Sequence, residues 1–425
     1  MIVISSARTA KEALKHNDLA FSGWYISSST IKLSYNNLDI MSSPYTEYWR
    51  DMRKMIVLGL FTHQQVNLFR PVREDEVSRM IKEITDQSDK LVNLSEFAKS
   101  FSSSIVCRIA FGIRYDEEWS EKTRFDKLLA ELQALSLAVY IGDHYPLLGW
   151  IDRLLGKTSQ LDRVFKDMDS FYQGLIDEHL SPNRPQSMKG DFLDIMIQLR
   201  EQQRSPNSVR IDWDNIKALL MNVFIGGIDT TAATITWAMT ALIKKPGVLK
   251  KVQGEIRGFI GKKGRVDEDD IEKLPYLKAV VKEILRLYPP VPLTLRMTTK
   301  KCIVEGYDIE PETLVLVNFW DIGRDPEFWE NPYELLPERF LNSSIDFKGQ
   351  DFGLIPFGTG RRICPGIALG IVEVEVALAN LVYAFDWELP NGVTEHDIDM
   401  DGLPGVTVHK KNDLLPPVHI SWHIC

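Results

Sequence analysis

Cysteine is scarce in this chain. Only Cys107, Cys302, Cys364 and Cys425 occur among 425 residues, far apart and with no C-x-x-C pair. That spacing excludes a disulfide-dense secreted scaffold and a zinc knuckle, and it suits a reducing compartment. Positive charge is in deficit: 50 lysines and arginines against 59 acidic residues leave a net charge of -9. The deficit argues against a nucleic-acid binder, whose affinity comes from neutralising phosphates. Long apolar runs are missing too. No stretch of about 18 consecutive apolar residues occurs, so no bilayer-spanning segment is expected. The N-terminus, MIVISSARTAKEALKHNDLAF, lacks the charged start and long apolar centre of a signal peptide. It reads as a short strand over residues 2–4, then a helix from about Ser6. No internal repeat is evident. As it stands, the chain is expected to be soluble, with weak or absent membrane association.

What is present is ample for a large core, since 44% of the residues are hydrophobic. Helical periodicity dominates, as in VSRMIKEITDQSDKLV and TRFDKLLAELQALSLAVY. Short alternating runs, CIVEGYDI and TLVLVNFW, read as strands and cluster in the last third. LSPNRPQSMKG, REQQRSPNSVR and GKKGRVDEDD read as loops. None resembles a flexible linker, so residues 1–425 are expected to form one large domain, mainly α with small β-sheets (α+β).

One segment conflicts with helix propensity. DWDNIKALLMNVFIGGIDTTAATITWAMTALIKKPG reads as a single helix of roughly 50 Å, opened by Asp212 and stopped by Pro246-Gly247. Gly226 and Gly227 each cost about 1 kcal/mol relative to Ala in its interior. Asp229, Thr230 and Thr231 place polar groups where the flanks predict burial. One reading is a close helix crossing at the glycines, with a threonine bonding the preceding turn. The other is that something planar or reactive lies against the glycines and faces the acid and hydroxyl.

FGTGRRICPG, residues 357–366, leads straight into the apolar run IALGIVEVEVALANLV. Arg361, Arg362 and the helix N-terminus are expected to lower the thiol pKa of Cys364, while the glycines admit backbone N–H groups. A nucleophilic thiolate needs a base, yet no histidine lies within thirty positions on either side. Zinc wants four ligands, and a single thiolate is too few. One protein thiolate suffices where a porphyrin supplies the in-plane ligands, which points to haem. Glu283 and Arg286 stand three apart on the amphipathic helix YLKAVVKEILRLYPP, and Arg339 in PERF offers to complete a buried Arg–Glu–Arg network.

Taken together, FGTGRRICPG, GGIDTT, KEILR, PERF and YWRDMRK resemble, in the right order, motifs of the cytochrome P450 family of haem-thiolate monooxygenases. SSPYTEYWRDMRKM, FRPVREDEV and DFKGQDFGLIPFGTGRRICPG give a narrower likeness to microsomal plant enzymes of specialised metabolism. The resemblance implies the P450 fold, a single large helical domain plus a β-rich lobe, holding haem b. It implies Cys364 as the proximal metal ligand, with Trp49, Arg53, Arg296 and Arg362 on the propionates. Gly226, Gly227, Pro356, Phe357, Gly358, Ile363, Pro365 and Gly366 would complete the cofactor site. Asp229 and Thr230 would deliver protons during O2 activation, and Glu283, Arg286 and Arg339 would be structural. Substrate contacts are expected from Phe224, Val291, Leu293, Leu295 and Gly405, for a small hydrophobic substrate. Electrons would come from an NADPH-dependent cytochrome P450 reductase, docking on a basic surface of Arg50, Arg53, Lys54, Lys244, Lys245, Lys250 and Lys251.

The family works on the cytosolic face of the endoplasmic reticulum membrane. Its N-terminal anchor and proline-rich hinge have no counterpart here, which implies a soluble cytoplasmic form. FSGWYISSSTIKLSYN lacks the family's usual Arg-Pro and is read as an altered cap of the substrate pocket. Two other functions compete: an O2-independent haem-thiolate isomerase or dehydratase, and a non-catalytic haem-binding form. The intact Asp229-Thr230 pair disfavours the first. Thr230→Ala separates it from a monooxygenase, which alone would leak peroxide. In the tail VHISWHIC, His419, His423 and Cys425 form a conceivable metal site against the simpler reading of a terminal strand.

Overall fold

The computed structural model describes residues 1–87, 91–116, 121–202, 210–388 and 392–420. His423, Cys425 and residues 203–209 of the second loop lie outside them. The chain folds into two compact units, each assembled from separated stretches. Residues 1–22, 67–102 and 228–425 make the first, and residues 23–66 and 103–227 the second.

The first unit carries every described strand. β1 (Ile2–Ile4) pairs in parallel with β5 (Leu314–Asn318), and β5 pairs antiparallel with β2 (Leu293–Met297). Alternation in β5 buries Val315 and Val317 completely, against a core that includes Ile4, Ala10, Phe21 and Ile322. β3 (Cys302–Val304) and β4 (Tyr307–Ile309) form a hairpin turning through Glu305 and Gly306. Both turn residues have positive φ, 50° and 79°, the handedness that matches strand twist. β6 (Phe385–Trp387) pairs with β9 (Val418–Ile420), and β7 (Gly402–Leu403) with β8 (His409–Lys410). His419 lies in β9, opposite Asp386.

Ser6 caps the first helix, Ala7–Lys11, by accepting the Thr9 N–H. The run TLVLVNFW is not strand throughout. Asn318 turns it into the short helix Phe319–Ile322 by accepting the Asp321 N–H, because a capping side chain outweighs the β preference of the aromatics.

The named elements of the second unit are helices joined by loops. Phe224 packs at 5.4, 5.3 and 5.7 Å, centroid to centroid, from Phe111, Phe125 and Tyr172. This aromatic cluster is the core that joins the helices Lys122–Ser136 and Lys157–Leu180 to the helix bearing Phe224. Burying one such ring contributes about 1.5–3 kcal/mol.

The expected long helix spans Trp213–Lys244. Asn215 reaches back to accept the Asp212 N–H at 2.7 Å, fixing its start. Pro246 does end it, yet Pro246 is also the first residue of the next helix, Pro246–Ile260, where its missing N–H costs nothing. Two helices, Trp213–Lys244 and Ile367–Ala384, are long and apolar enough to cross a membrane. Of their most apolar stretches, 72% and 61% is buried in the fold. Scattered polar residues hid both from a search for unbroken apolar runs.

Candidate active site

Cys364 sits in a loop that is fixed before the helix Ile367–Ala384 begins. Its N–H donates to the Phe357 carbonyl at 2.9 Å, and the Ile363 N–H to the Gly360 carbonyl at 3.2 Å. Closing so tight a loop requires left-handed backbone at Gly358 and Gly360, φ 71° and 68°. At Gly360 a side chain would also strike Asp18, its Cβ falling 2.5 Å from Oδ1. Asp18 pairs with Arg361, while Arg362 Nε donates to the Ser22 carbonyl at 3.1 Å. The Thr359 hydroxyl ties the loop to the Gly349 carbonyl at 2.6 Å, and Phe357 packs edge-on against Phe347.

This framework leaves the Cys364 thiol half-buried, whereas Cys107 and Cys302 are buried. Burial pushes the Cys107 thiol well above its usual pKa and raises that of Cys302. Among the described cysteines, then, only Cys364 is suited to act as a thiolate. Its surroundings are apolar and open: residues 362–372 are half-buried or exposed, including Ile363, Pro365, Gly366, Ile367 and Ile371. From Glu373 onward the same helix is buried throughout.

The long helix has an open stripe of its own. Val223, Gly226, Gly227 and Thr230, at spacing i, i+3, i+4, i+7, are accessible, while Asp229 and residues 231–243 are buried. The two glycines have different reasons to be there. A Cβ on Gly227 would sit 2.9 Å from Val106 Cγ2, so this glycine serves a close helix crossing. A Cβ on Gly226 would meet nothing within 4 Å. Each reading of the pair thus fits one of its members. A bond of the expected kind is made by Thr234, whose hydroxyl donates to the Thr230 carbonyl at 2.7 Å. The Thr231 hydroxyl donates instead to Glu373 Oε2 at 3.1 Å.

Glu373 was not visible as a functional residue in the sequence. It is fully buried nine positions after Cys364, and desolvation pushes its carboxyl up to about 8. The signal was available, since Glu373 and Glu375 interrupt an otherwise apolar helix. His409 was missed as well. Its Nε2 stands 3.8 Å from Asp229 Oδ1. Desolvation raises the pKa of Asp229, opposed by His409 and Lys99.

Two expected substrate loops meet beside this carboxylate. The Val408 N–H donates to the Pro290 carbonyl at 2.8 Å, and the Trp237 indole donates to the Val408 carbonyl at 2.9 Å. These bonds join the long helix, the turn leading to Val291, Leu293 and Leu295, and the 402–410 hairpin containing Gly405. Val291, Leu295 and Gly405 are half-buried and Leu293 is exposed. Phe224 belongs to the aromatic core of the second unit, not to the open stripe of its own helix.

Glu283, Arg286 and Arg339 form one network. Glu283 accepts Arg286 Nε and NH2, each at 2.7 Å, and Arg339 Nε at 3.1 Å. The rest of the Arg286 fork goes to the carbonyls of Gly323, Pro332 and Glu334, and the Leu336 N–H also reaches Glu283. With these partners the buried charges are compensated and the segment 323–339 is pinned to the helix Pro275–Leu287.

In the second unit, the single N–H of the Trp49 indole donates to the Ile40 carbonyl at 2.8 Å, and Arg53 lies over its ring at 5.4 Å. To bind a propionate, Trp49 would have to release Ile40.

A thiolate-ligated porphyrin asks for an accessible thiol, an apolar wall and cations for its carboxylates. The first unit has the half-buried Cys364, the open apolar strip 363–372, Arg362 beside the loop, and the buried Arg296 on β2. The residues present fit the group.

The family model described as Cytochrome P450 matches residues 1–417. A 6,7,8-trihydroxycoumarin synthase from Pastinaca sativa is 48% identical over 424 residues, covering 97% of this chain and 83% of the relative. A xanthotoxol synthase from the same plant is 48% identical over 423 residues, with 97% and 82% coverage. Cytochrome P450 71A1 from Persea americana is 44% identical over 417 residues, with 96% and 83% coverage. A zebrafish cytochrome P450 structure with abiraterone shares the fold at a TM-score of 0.81 and 22% identity, covering 99% of this chain and 93% of that one. With the motifs, the thiol loop and this match over nearly all of the chain in agreement, the chain belongs to the cytochrome P450 family, among the oxidoreductases of plant specialised metabolism.

Proposed function

We propose that the whole chain works as one haem-thiolate monooxygenase domain in which Cys364 ligates the iron. Haem b, the cofactor of this family, supplies O2 activation, and a thiolate ligand favours O–O cleavage. The protein's own part is to bind, orient and control protons. Arg296 and Arg362 hold the propionates. The open side of the long helix at Thr230 admits O2 and substrate, Asp229 and Thr230 carry protons, and the Glu283–Arg286–Arg339 network keeps the thiol loop in place. Electrons come from an NADPH-dependent flavin reductase. The substrate is a small hydrophobic ring compound bordered by Val291, Leu295 and Gly405. The relative named as a trihydroxycoumarin synthase supports a flat oxygenated aromatic.

One observation carries this reading: the single accessible thiol among the described cysteines heads an apolar, half-open helix. The test is the spectrum of the reduced, CO-bound protein. A strongly red-shifted Soret band is expected, lost in Cys364→Ser and kept in Cys302→Ser. A red-shifted band that survives Cys364→Ser overturns the assignment.

A further inference from the structure

Asp229 is the buried acid beside Thr230, and it faces one imidazole. The side chain of Asp229 is 7% exposed and that of His409 is 39% exposed, with Oδ1 and Nε2 3.8 Å apart. Lys99, an exposed residue of the helix Leu94–Phe111, is the other charged group that acts on both. Accessibility thus rises in steps from Asp229 through His409 to the surface.

His409 is also held in place. Val408, next to it, gives its N–H to Pro290 and accepts the indole N–H of Trp237, which lies two turns along the helix that carries Asp229. On its own strand His409 is in register with Leu403 of β7. The imidazole is fixed against the acid by backbone bonds on its inner side, while its outer edge reaches solvent.

We propose that His409 supplies protons from solvent to Asp229 and so reloads the acid between turnovers. The inference rests on the reading of Asp229 and Thr230 as the proton-delivering pair. His409 acts through Asp229 and is a positioning and relay residue. In the step, Nε2–H of the imidazolium loses its proton to Asp229 Oδ1. The neutral imidazole then takes a proton from a hydronium ion of the bulk solvent, which becomes water, and no electrons move. A separation of 3.8 Å exceeds a direct hydrogen bond, so one bridging water or a small rotation of the ring closes it. Burial lowers the affinity of His409 for protons, Asp229 opposes that and Lys99 adds to it, whereas burial raises that of Asp229. The two groups are thereby drawn toward each other, as a relay requires.

The first measurement needs no turnover. In holoprotein with 15N-labelled histidine, the His409 resonance is assigned by its loss in His409→Gln and titrated by NMR. Asp229→Asn removes the anion that favours the imidazolium, so the His409 midpoint is expected to fall. An unchanged midpoint overturns the pairing. The second is product formed per O2 consumed, followed against pH. His409→Gln is expected to lower this coupling several-fold and to flatten its pH dependence, which a merely structural imidazole would leave in place. If Asp229→Asn uncouples while His409→Gln keeps the wild-type profile, the relay is refuted and the acid–alcohol reading stands. If Asp229→Asn leaves coupling intact, the reading beneath it fails.

Discussion

Glu373 shows what one misplaced charge does. Its folded pKa of about 8 lies above the ordinary carboxyl value of 4.5, so the folded state binds the proton more tightly than the unfolded chain. Its contribution to stability is fully present below about pH 4.5 and is lost as pH rises through about 8. Glu373→Gln keeps the shape and the Thr231 bond without the charge. Thermal melts should show the variant gaining a few degrees over wild type at pH 9, with little difference at pH 5. An equal shift at both would mean that Glu373 does not titrate in this range. The two glycines of the long helix make a second pair of opposites. Gly226→Ala meets open space and should stabilise the helix by about 1 kcal/mol, read from denaturant melts. In Gly227→Ala the same propensity gain is offset by overpacking on Val106, about 1–3 kcal/mol, so denaturant melts should show no gain.

At the scale of elements, the buried network is the most exposed to mutation. Glu283→Gln leaves Arg286 and Arg339 without their counter-charge in a site where Glu283 and Arg286 have no solvent access. A loss of about 3–5 kcal/mol is expected, read from chemical denaturation. Arg286→Lys should also destabilise, since a point charge cannot serve one carboxylate and three carbonyls at once. Much of this level was legible in the sequence. The long helix, the Ser6 start and the strand character of CIVEGYDI follow from periodicity and caps, which act within a few residues, whereas the turn at Glu305-Gly306 that folds this run into β3 and β4 was not read from it. What the sequence hid was set by tertiary partners. Whether Gly226 or Gly227 makes the close crossing depends on Val106. Whether Phe224 faces a pocket or a core depends on Phe111, Phe125 and Tyr172. His409 escaped notice because its partner is 180 positions away in the chain, beyond any local pattern.

For the whole molecule, the proposed reductase surface has to be read through its pairing. Of the lysines on the first unit, Lys245 and Lys251 are matched by Glu334 and Glu338 at 3.3 and 2.6 Å, and Lys244 is bonded to the Ile398 carbonyl. On the second unit, Arg50 is paired with Glu47. A cation already facing a carboxylate presents little net field to a partner, so composition alone overstates this surface. Lys250 is exposed and has no ion-pair partner among the described residues. Lys250→Glu is therefore the cleaner probe, whereas Lys251→Glu also sets two carboxylates against each other. Reductase-supported turnover should fall several-fold in Lys250→Glu at about 0.02 M salt and recover toward wild type near 0.3 M, where the Debye length is below about 8 Å. Turnover driven by an added peroxide, which bypasses the reductase, should be unchanged at both. A loss that persists at high salt would place Lys250 in a packed contact or in folding, and no loss at either salt would remove this face from the docking surface.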